Sequence, residues 1–229
     1  MKNKKAIVLG GTSGIGRSVA QLLHNTGATV VAASRRDNAG PGDFAIEQVD
    51  VLDRDGLAAF FAAHAPFDYL VNAATGGPRA AGPFLEMDLA GFQDSFAKLW
   101  GYVNSVRLAA QYMSEDGARV LVSGYPARKC EPGMTAISTV GNAVEGFVRA
   151  VAPEISPLRI NAVSPGIIDT PMFAQTGDER QQYFKEVTAD YVIKRAGQPE
   201  EVADAVMFLL GNRFMTGSVV DVEGGALLP

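Results

Sequence analysis

A run of small residues, Gly10-Gly11-Thr12-Ser13-Gly14-Ile15-Gly16-Arg17, separates an apolar stretch from an amphipathic one. At a strand-to-helix junction such a run suits the binding of a pyrophosphate, because the backbone can approach it while the first N–H groups of the helix, here around Ile15, point at it. Gly10 can make the tight turn, Gly14 keeps the approach open, and Gly16 allows close helix–strand packing; Thr12 and Ser13 add hydroxyls and N–H donors. Where an NAD-binding sheet places an acid on the ribose 2′-hydroxyl, the chain carries Ser34-Arg35-Arg36. Two guanidiniums and no carboxylate suit a 2′-phosphate, so the expected ligand is NADP(H) rather than NAD(H). Ser123 closes a later apolar run, at the strand edge where ligands bind in open α/β sheets, and is a candidate to polarise a carbonyl.

These residues need a scaffold that delivers them to one edge. Short β-rich runs at Ala6–Leu9, Thr29–Ala33, Phe44–Val49, Tyr69–Asn72, Arg119–Ser123, Arg159–Val163 and Val219–Val222 alternate with segments of helical period. Ile15, Val19, Leu22 and Leu23 recur at helical spacing up to Gly27, and Asp53 is placed to cap a helix carrying Leu57, Phe60 and Phe61. Longer helical stretches run from about Leu89 to Met113 and about Met134 to Val151, and Pro199-Glu200-Glu201 opens the last helix. This alternation predicts an α/β fold: a doubly wound parallel sheet of the Rossmann type, in a single domain over 1–229. The stretch 170–196, rich in aromatic and charged residues, is expected to be either a lid over a substrate or an ordinary surface helix pair.

Composition narrows the function. The 229 residues carry 20 Lys+Arg against 25 Asp+Glu, a net charge of −5, and 47% are hydrophobic, a balance that builds a core and does not favour nucleic acid as partner. One cysteine, Cys130, and two histidines, His24 and His64, allow neither an internal disulfide nor a Cys/His metal site, and no catalytic role is assigned to any of the three. The basic start is followed by too short an apolar run for a signal peptide, and no stretch is long enough to span a membrane, so a cytoplasmic protein is expected.

The junction at Leu9–Gly16 resembles the cofactor turn of the short-chain dehydrogenase/reductase family, with Leu9 where Thr is usual. Asp50-Val51 resembles the family's adenine-side motif, and Leu70-Val71-Asn72-Ala73-Ala74-Thr75 its Asn-Asn-Ala-Gly segment, departing at Ala73 and Thr75. Arg159 to Gly166, followed by Thr170, matches the nicotinamide-side segment, and Gly197 to Ala203, Thr216-Gly217 and Glu223-Gly224-Gly225 follow in the family's order. The resemblance implies that the Asn72–Ala74 segment lines the ribose pocket. It further implies that Thr170, with Pro165, Gly166 and the backbone through Ile168, holds the carboxamide. It implies a homo-oligomer too, dimer or tetramer, with Phe92, Phe96, Leu99, Trp100, Val144, Phe147 and Val148 as a possible seam.

The family's proton donor is a tyrosine whose hydroxyl is tuned by a lysine one helical turn on, Tyr-x-x-x-Lys. Aligned on Ala143-Val144-Glu145-Gly146-Phe147, those positions fall on Ile137 and Gly141; the orienting Ser falls on Gly124, one residue after Ser123, and the helical Asn on Lys98. Tyr125-Pro126-Ala127-Arg128-Lys129 has the right spacing, but Pro132-Gly133 cuts off any helix there, which favours coincidence. Three candidates remain: Lys98, whose ammonium could refill the space left at Gly141 or simply be solvated; Ser123; and Tyr125, if its loop folds over the nicotinamide. The expected function is NADP(H)-dependent reduction of a small, apolar or aromatic carbonyl or enone from a non-standard site. The rivals are a cofactor-binding protein without turnover and a non-redox cyclase or isomerase.

Overall fold

Alternate residues of each central strand face opposite helical layers, which is why the apolar runs lack a strand-like polar face. The computed structural model describes residues 1–35 and 43–229; Arg36 lies outside the described residues. Seven parallel strands form one sheet, β1 (Lys5–Leu9), β2 (Thr29–Ser34), β3 (Ala45–Gln48), β4 (Phe67–Asn72), β5 (Met113–Val122), β6 (Arg159–Pro165) and β7 (Val219–Val222), in the order β3-β2-β1-β4-β5-β6-β7. The helices are α1 (Gly14–Asn25), α2 (Arg54–Ala63), α3 (Leu89–Asp94), α4 (Ala97–Ala109), α5 (Thr135–Val151), α6 (Gly177–Val187) and α7 (Pro199–Gly211).

Ala6 and Val8 pack with Val19 and Leu23 of α1 and Val206 and Leu209 of α7. Ile7 and Leu9 face the other way, onto Leu57 and Phe61 of α2. Further along that face, Leu121 and Ile160 meet Tyr102 and Val106 of α4 and Val144 and Val148 of α5. Each fully buried Leu, Ile or Phe contributes about 1.5–3 kcal/mol of transfer free energy, so burial of these side chains helps hold both layers to the sheet. Strand order reverses between the neighbours β1 and β4, paired Leu9↔Asn72, whose following connections run toward opposite edges of the sheet, and it is at this reversal that an open α/β sheet splays its carboxyl-end loops into a crevice. No helix among the described residues is long and apolar enough to cross a membrane.

Several expectations need correction. The stretch Leu89–Met113 is not one helix: it breaks between Asp94 and Ala97, and Met113 already belongs to β5. Just past the end of α3 the Ser95 hydroxyl donates to Gly91 O (2.9 Å) while accepting the Ala80 N–H (2.8 Å), so a loop is stitched onto the chain at the break. The acidic residues Glu115 and Asp116 disguised the first half of β5, which pairs with β4 from Phe67↔Met113 onward. Segment 170–196 holds one helix, α6, and not a pair. Of the proposed subunit seam, Val144 and Val148 are fully buried in the chain's own core, whereas Trp100 is 54% exposed. Asp53 does cap α2, accepting from Gly56 N at 3.1 Å.

Candidate active site

The carboxyl ends of β1, β4, β5 and β6 open into a cavity of about 830 Å³. At one end the turn after β1 supplies Gly10, Thr12, Ser13, Gly14, Ile15 and Gly16 to its wall. Gly10 has φ 75°, and its N–H donates to Ala33 O at 2.7 Å, tying the turn to β2. A β-carbon on Gly16 would stand 2.2 Å from Gly10 O, so only glycine lets α1 start this close to the strand. Ser13 caps α1 in extended backbone without a side-chain hydrogen bond, and the first turn carries no acid. The N–H groups of Gly14, Ile15 and Gly16 precede the first intrahelical bond, Arg17 N to Ser13 O, and so have no helical acceptor. The turn is therefore a ready anion cradle.

Ser34 and Arg35 border the same cavity at the end of β2. Val51 lines it as well, whereas Asp50 does not: its carboxylate accepts the Leu52 N–H at 2.9 Å and shapes the turn instead. Ala73 and Ala74 line the wall, while Asn72 stands behind them, fully buried. Asn72 donates to Ser105 Oγ (2.9 Å) and accepts from Ala74 N (3.0 Å), so it sets the wall's course without touching the space. Pro165, Gly166, Ile168 and Thr170 complete that side, and a β-carbon on Gly14 would lie 3.2 Å from the Thr170 side chain. A dinucleotide fits this lining: a cradle too tight for side chains, N–H groups aimed outward, and a guanidinium where no described lining residue is acidic.

The other end collects all three candidate catalytic residues, Lys98, Ser123 and Tyr125, around Ile137 and Gly141. The break before α4 puts Lys98 in that helix's first turn, its Nζ donating to Ser123 O at 3.0 Å and lying 5.7 Å from the Tyr102 ring centroid. Burial, then the charge of Arg79, lowers the Lys98 pKa from 10.5 to about 7. Tyr102 is unsuited to proton transfer: its hydroxyl donates to Val122 O at 2.9 Å, and burial pushes its pKa up.

Ser123 directs its proton away from the cavity. Its Oγ reaches Glu145 Oε1 (3.2 Å) and Gly141 O (3.4 Å), and the buried Glu145 is clamped in turn by Arg128 Nη2 (3.2 Å). With that proton committed, Ser123 offers the cavity a lone pair rather than a donor. Tyr125 sits in a 3₁₀ turn, 6% exposed, its ring edge-on to Tyr191 at 6.3 Å and its hydroxyl hydrogen-bonded with Tyr191. Burial, followed by Glu131, raises its pKa. Lys129 is not part of the lining, so the Tyr125/Lys129 spacing does not form a pair in the site. The turn at Tyr125–Ala127 also explains the glycine at 141: a β-carbon there would meet Ala127 Cβ at 2.9 Å.

Sequence reasoning missed Arg79, on the loop after β4, which lines the cavity with its Nη2 2.7 Å from Met172 Sδ. A loop arginine has no period or motif to betray it. The 170–196 segment contributes Met172, Phe173 and Tyr183. Arg180 ties it down, pairing with Asp169, donating to Thr170 O (2.8 Å) and Phe173 O (2.9 Å), and stacking 4.8 Å over Phe184.

A seven-stranded parallel sheet with a glycine cradle at its switch point defines a Rossmann-type dinucleotide-binding protein. A family model described as "Enoyl-(Acyl carrier protein) reductase" matches residues 10–226. L-xylulose reductase from Bos taurus is 30% identical over 242 residues, spanning 99% of this chain and 98% of that protein. The 3-oxoacyl-[acyl-carrier-protein] reductase FabG of Chlamydia trachomatis serovar D is 29% identical over 97% of both chains. A small-chain dehydrogenase solved in complex with NADPH superposes with TM-score 0.89 at 29% identity, covering 100% of each chain. The chain belongs to the short-chain dehydrogenase/reductase family, a family of oxidoreductases.

Proposed function

We propose that this chain is a cytoplasmic NADP(H)-dependent oxidoreductase that reduces a small carbonyl compound or enone, with Lys98 delivering the proton that the family's tyrosine would supply. The observation that carries this reading is the sharing of one cleft by the glycine cradle and Arg35 at one end and Lys98 at the other. The NADPH complex of a relative with this fold supports the cofactor assignment. In the proposed binding mode, the Gly10–Gly16 turn takes the pyrophosphate and Arg35 the 2′-phosphate. Pro165, Gly166, Ile168 and Thr170 take the carboxamide side, behind a ribose wall set by Asn72 through Ala73 and Ala74. Bound NADPH supplies a hydride to the substrate carbon.

The chain's own groups then have distinct roles. Lys98 stands 3.0 Å from the carbonyl of Ser123, whose hydroxyl touches Gly141, so its ammonium occupies the quarter that a lysine at 141 would serve. With its pKa lowered to about 7 it holds and releases a proton near neutrality, the condition for general acid catalysis. Tyr125, paired with Tyr191, shapes the substrate wall, and Ser123 orients through its lone pair and through the carbonyl that anchors Lys98. In this reading the chain is a divergent member with Ile137 and Gly141 at the usual Tyr and Lys positions. Segment 170–196 covers the substrate, and the chain forms a homo-oligomer using the exposed Trp100. Fluorescence titration with NADPH and NADH, followed by NADPH oxidation across a carbonyl panel, tests it. NADPH-selective binding with turnover is expected; equal affinity for NADH, or NADPH retained unoxidised with every carbonyl, refutes it.

A further inference from the structure

Arg79 is exposed at the mouth of the cavity, and its one hydrogen bond among the described residues is to the Met172 thioether, 2.7 Å away. A guanidinium has five N–H donors and a thioether is a weak acceptor, so almost all of this residue's capacity is unused by the protein. No carboxylate stands within ion-pair distance of it among the described residues. The second cation of this region, Lys98, is close enough to Arg79 for the two charges to oppose each other. Neither acid nor histidine occurs among the described lining residues, although the chain as a whole carries a net charge of −5.

Two cations facing one space without a counter-ion repel, and that repulsion becomes attraction when an anion enters between them. A planar guanidinium is shaped to hold a carboxylate or phosphate through two parallel hydrogen bonds. Resting on the reductase reading above, we propose that the substrate carries an anionic group, a carboxylate or a phosphate, beside its carbonyl, and that Arg79 binds that group. The expectation of an apolar or aromatic substrate, drawn from the sequence, is replaced by that of an oxo-acid or oxo-phosphate. Leaving Met172 for the anion sacrifices only the weak thioether contact, so Arg79 is free to turn inward.

The test uses matched probes titrated calorimetrically into the NADPH-loaded protein: acetoacetate against methyl acetoacetate, and dihydroxyacetone phosphate against dihydroxyacetone. The charged member of at least one pair should bind tighter by tenfold or more, and the better pair identifies carboxylate or phosphate. Arg79→Met should erase that preference, a loss on the order of 10–100-fold in affinity for the anion, with the neutral probe unchanged. Arg79→Lys should recover part of it. In turnover, Arg79→Met should also move the Lys98 ionisation in kcat/KM to higher pH, because an opposing charge is removed. Equal binding of charged and neutral probes in both pairs overturns the proposal, as does an Arg79→Met variant that keeps the preference for anions. Failure to bind NADPH at all, measured before any probe is added, strikes the reductase reading instead.

Discussion

Replacing Lys98 by Met removes the ammonium while keeping an unbranched chain of similar reach, so the proton source can be separated from the packing. With a pKa of about 7, Lys98 is half protonated at neutrality, and its charged fraction falls about tenfold per pH unit above that. The wild-type kcat/KM is therefore expected to hold a plateau on the acid side and decline through pH 7 with unit slope, to roughly a hundredth of the plateau two units higher. Lys98→Met should lose about 10²–10⁴ of the plateau rate and with it the decline. Lys98→Arg, which stays charged, should be slow and flat. Stability gives an independent reading. The folded pKa is depressed below 10.5, so between pH 7 and 10.5 the unfolded chain binds a proton that the folded chain does not, and wild-type stability gains with pH across that window relative to Lys98→Met. The gain is at most about 1.4 kcal/mol per unit, less whatever solvent screens at a partly exposed group. The assays are initial rates of NADPH loss and urea unfolding, each at several pH values. A Lys98→Met enzyme within threefold of wild type on the plateau, or a wild-type profile that stays flat from about pH 6 to 9, would refute Lys98 as the acid.

Restoring the family pair should not restore its chemistry. Gly141→Lys, alone or with Ile137→Tyr, drives a β-carbon against Ala127 Cβ at 2.9 Å and is expected to cost about 1–3 kcal/mol, read from the urea midpoint, with no gain in rate. Arg35→Glu should weaken NADPH binding on the order of 10–100-fold and leave NADH binding equal or better, by fluorescence titration. Arg180→Ala removes the hydrogen bonds that tether the 170–196 segment; faster limited proteolysis within that segment and a higher substrate KM are expected.

What the sequence disclosed and what it withheld divide by the range of the interactions involved. The glycine turn, the Asp53 cap and the seven strands are local in origin, set by residues within a few positions of one another, and their pattern survives in one dimension. The directions of the candidate catalytic side chains are not local. Lys98 reads in one dimension as a helix residue without a heading; in the fold the chain breaks after Asp94, where Ser95 is bonded to Ala80 fifteen positions away, and Lys98 in the first turn of α4 reaches the Ser123 carbonyl. Ser123 is legible at a strand end, yet its proton is claimed by Glu145, 22 positions later in the sequence. Gly141 is the instructive case. From the sequence it reads as a missing lysine, a subtraction; in the fold it is the space that the Tyr125–Ala127 turn occupies as it packs onto α5. In the proposed reading, a lysine at 141 and the Tyr125–Ala127 turn exclude one another, because the turn occupies the space where that side chain would begin. Placing a lysine there would require moving the turn first, and a single substitution at either place should therefore lower stability without creating a Tyr/Lys pair in the site.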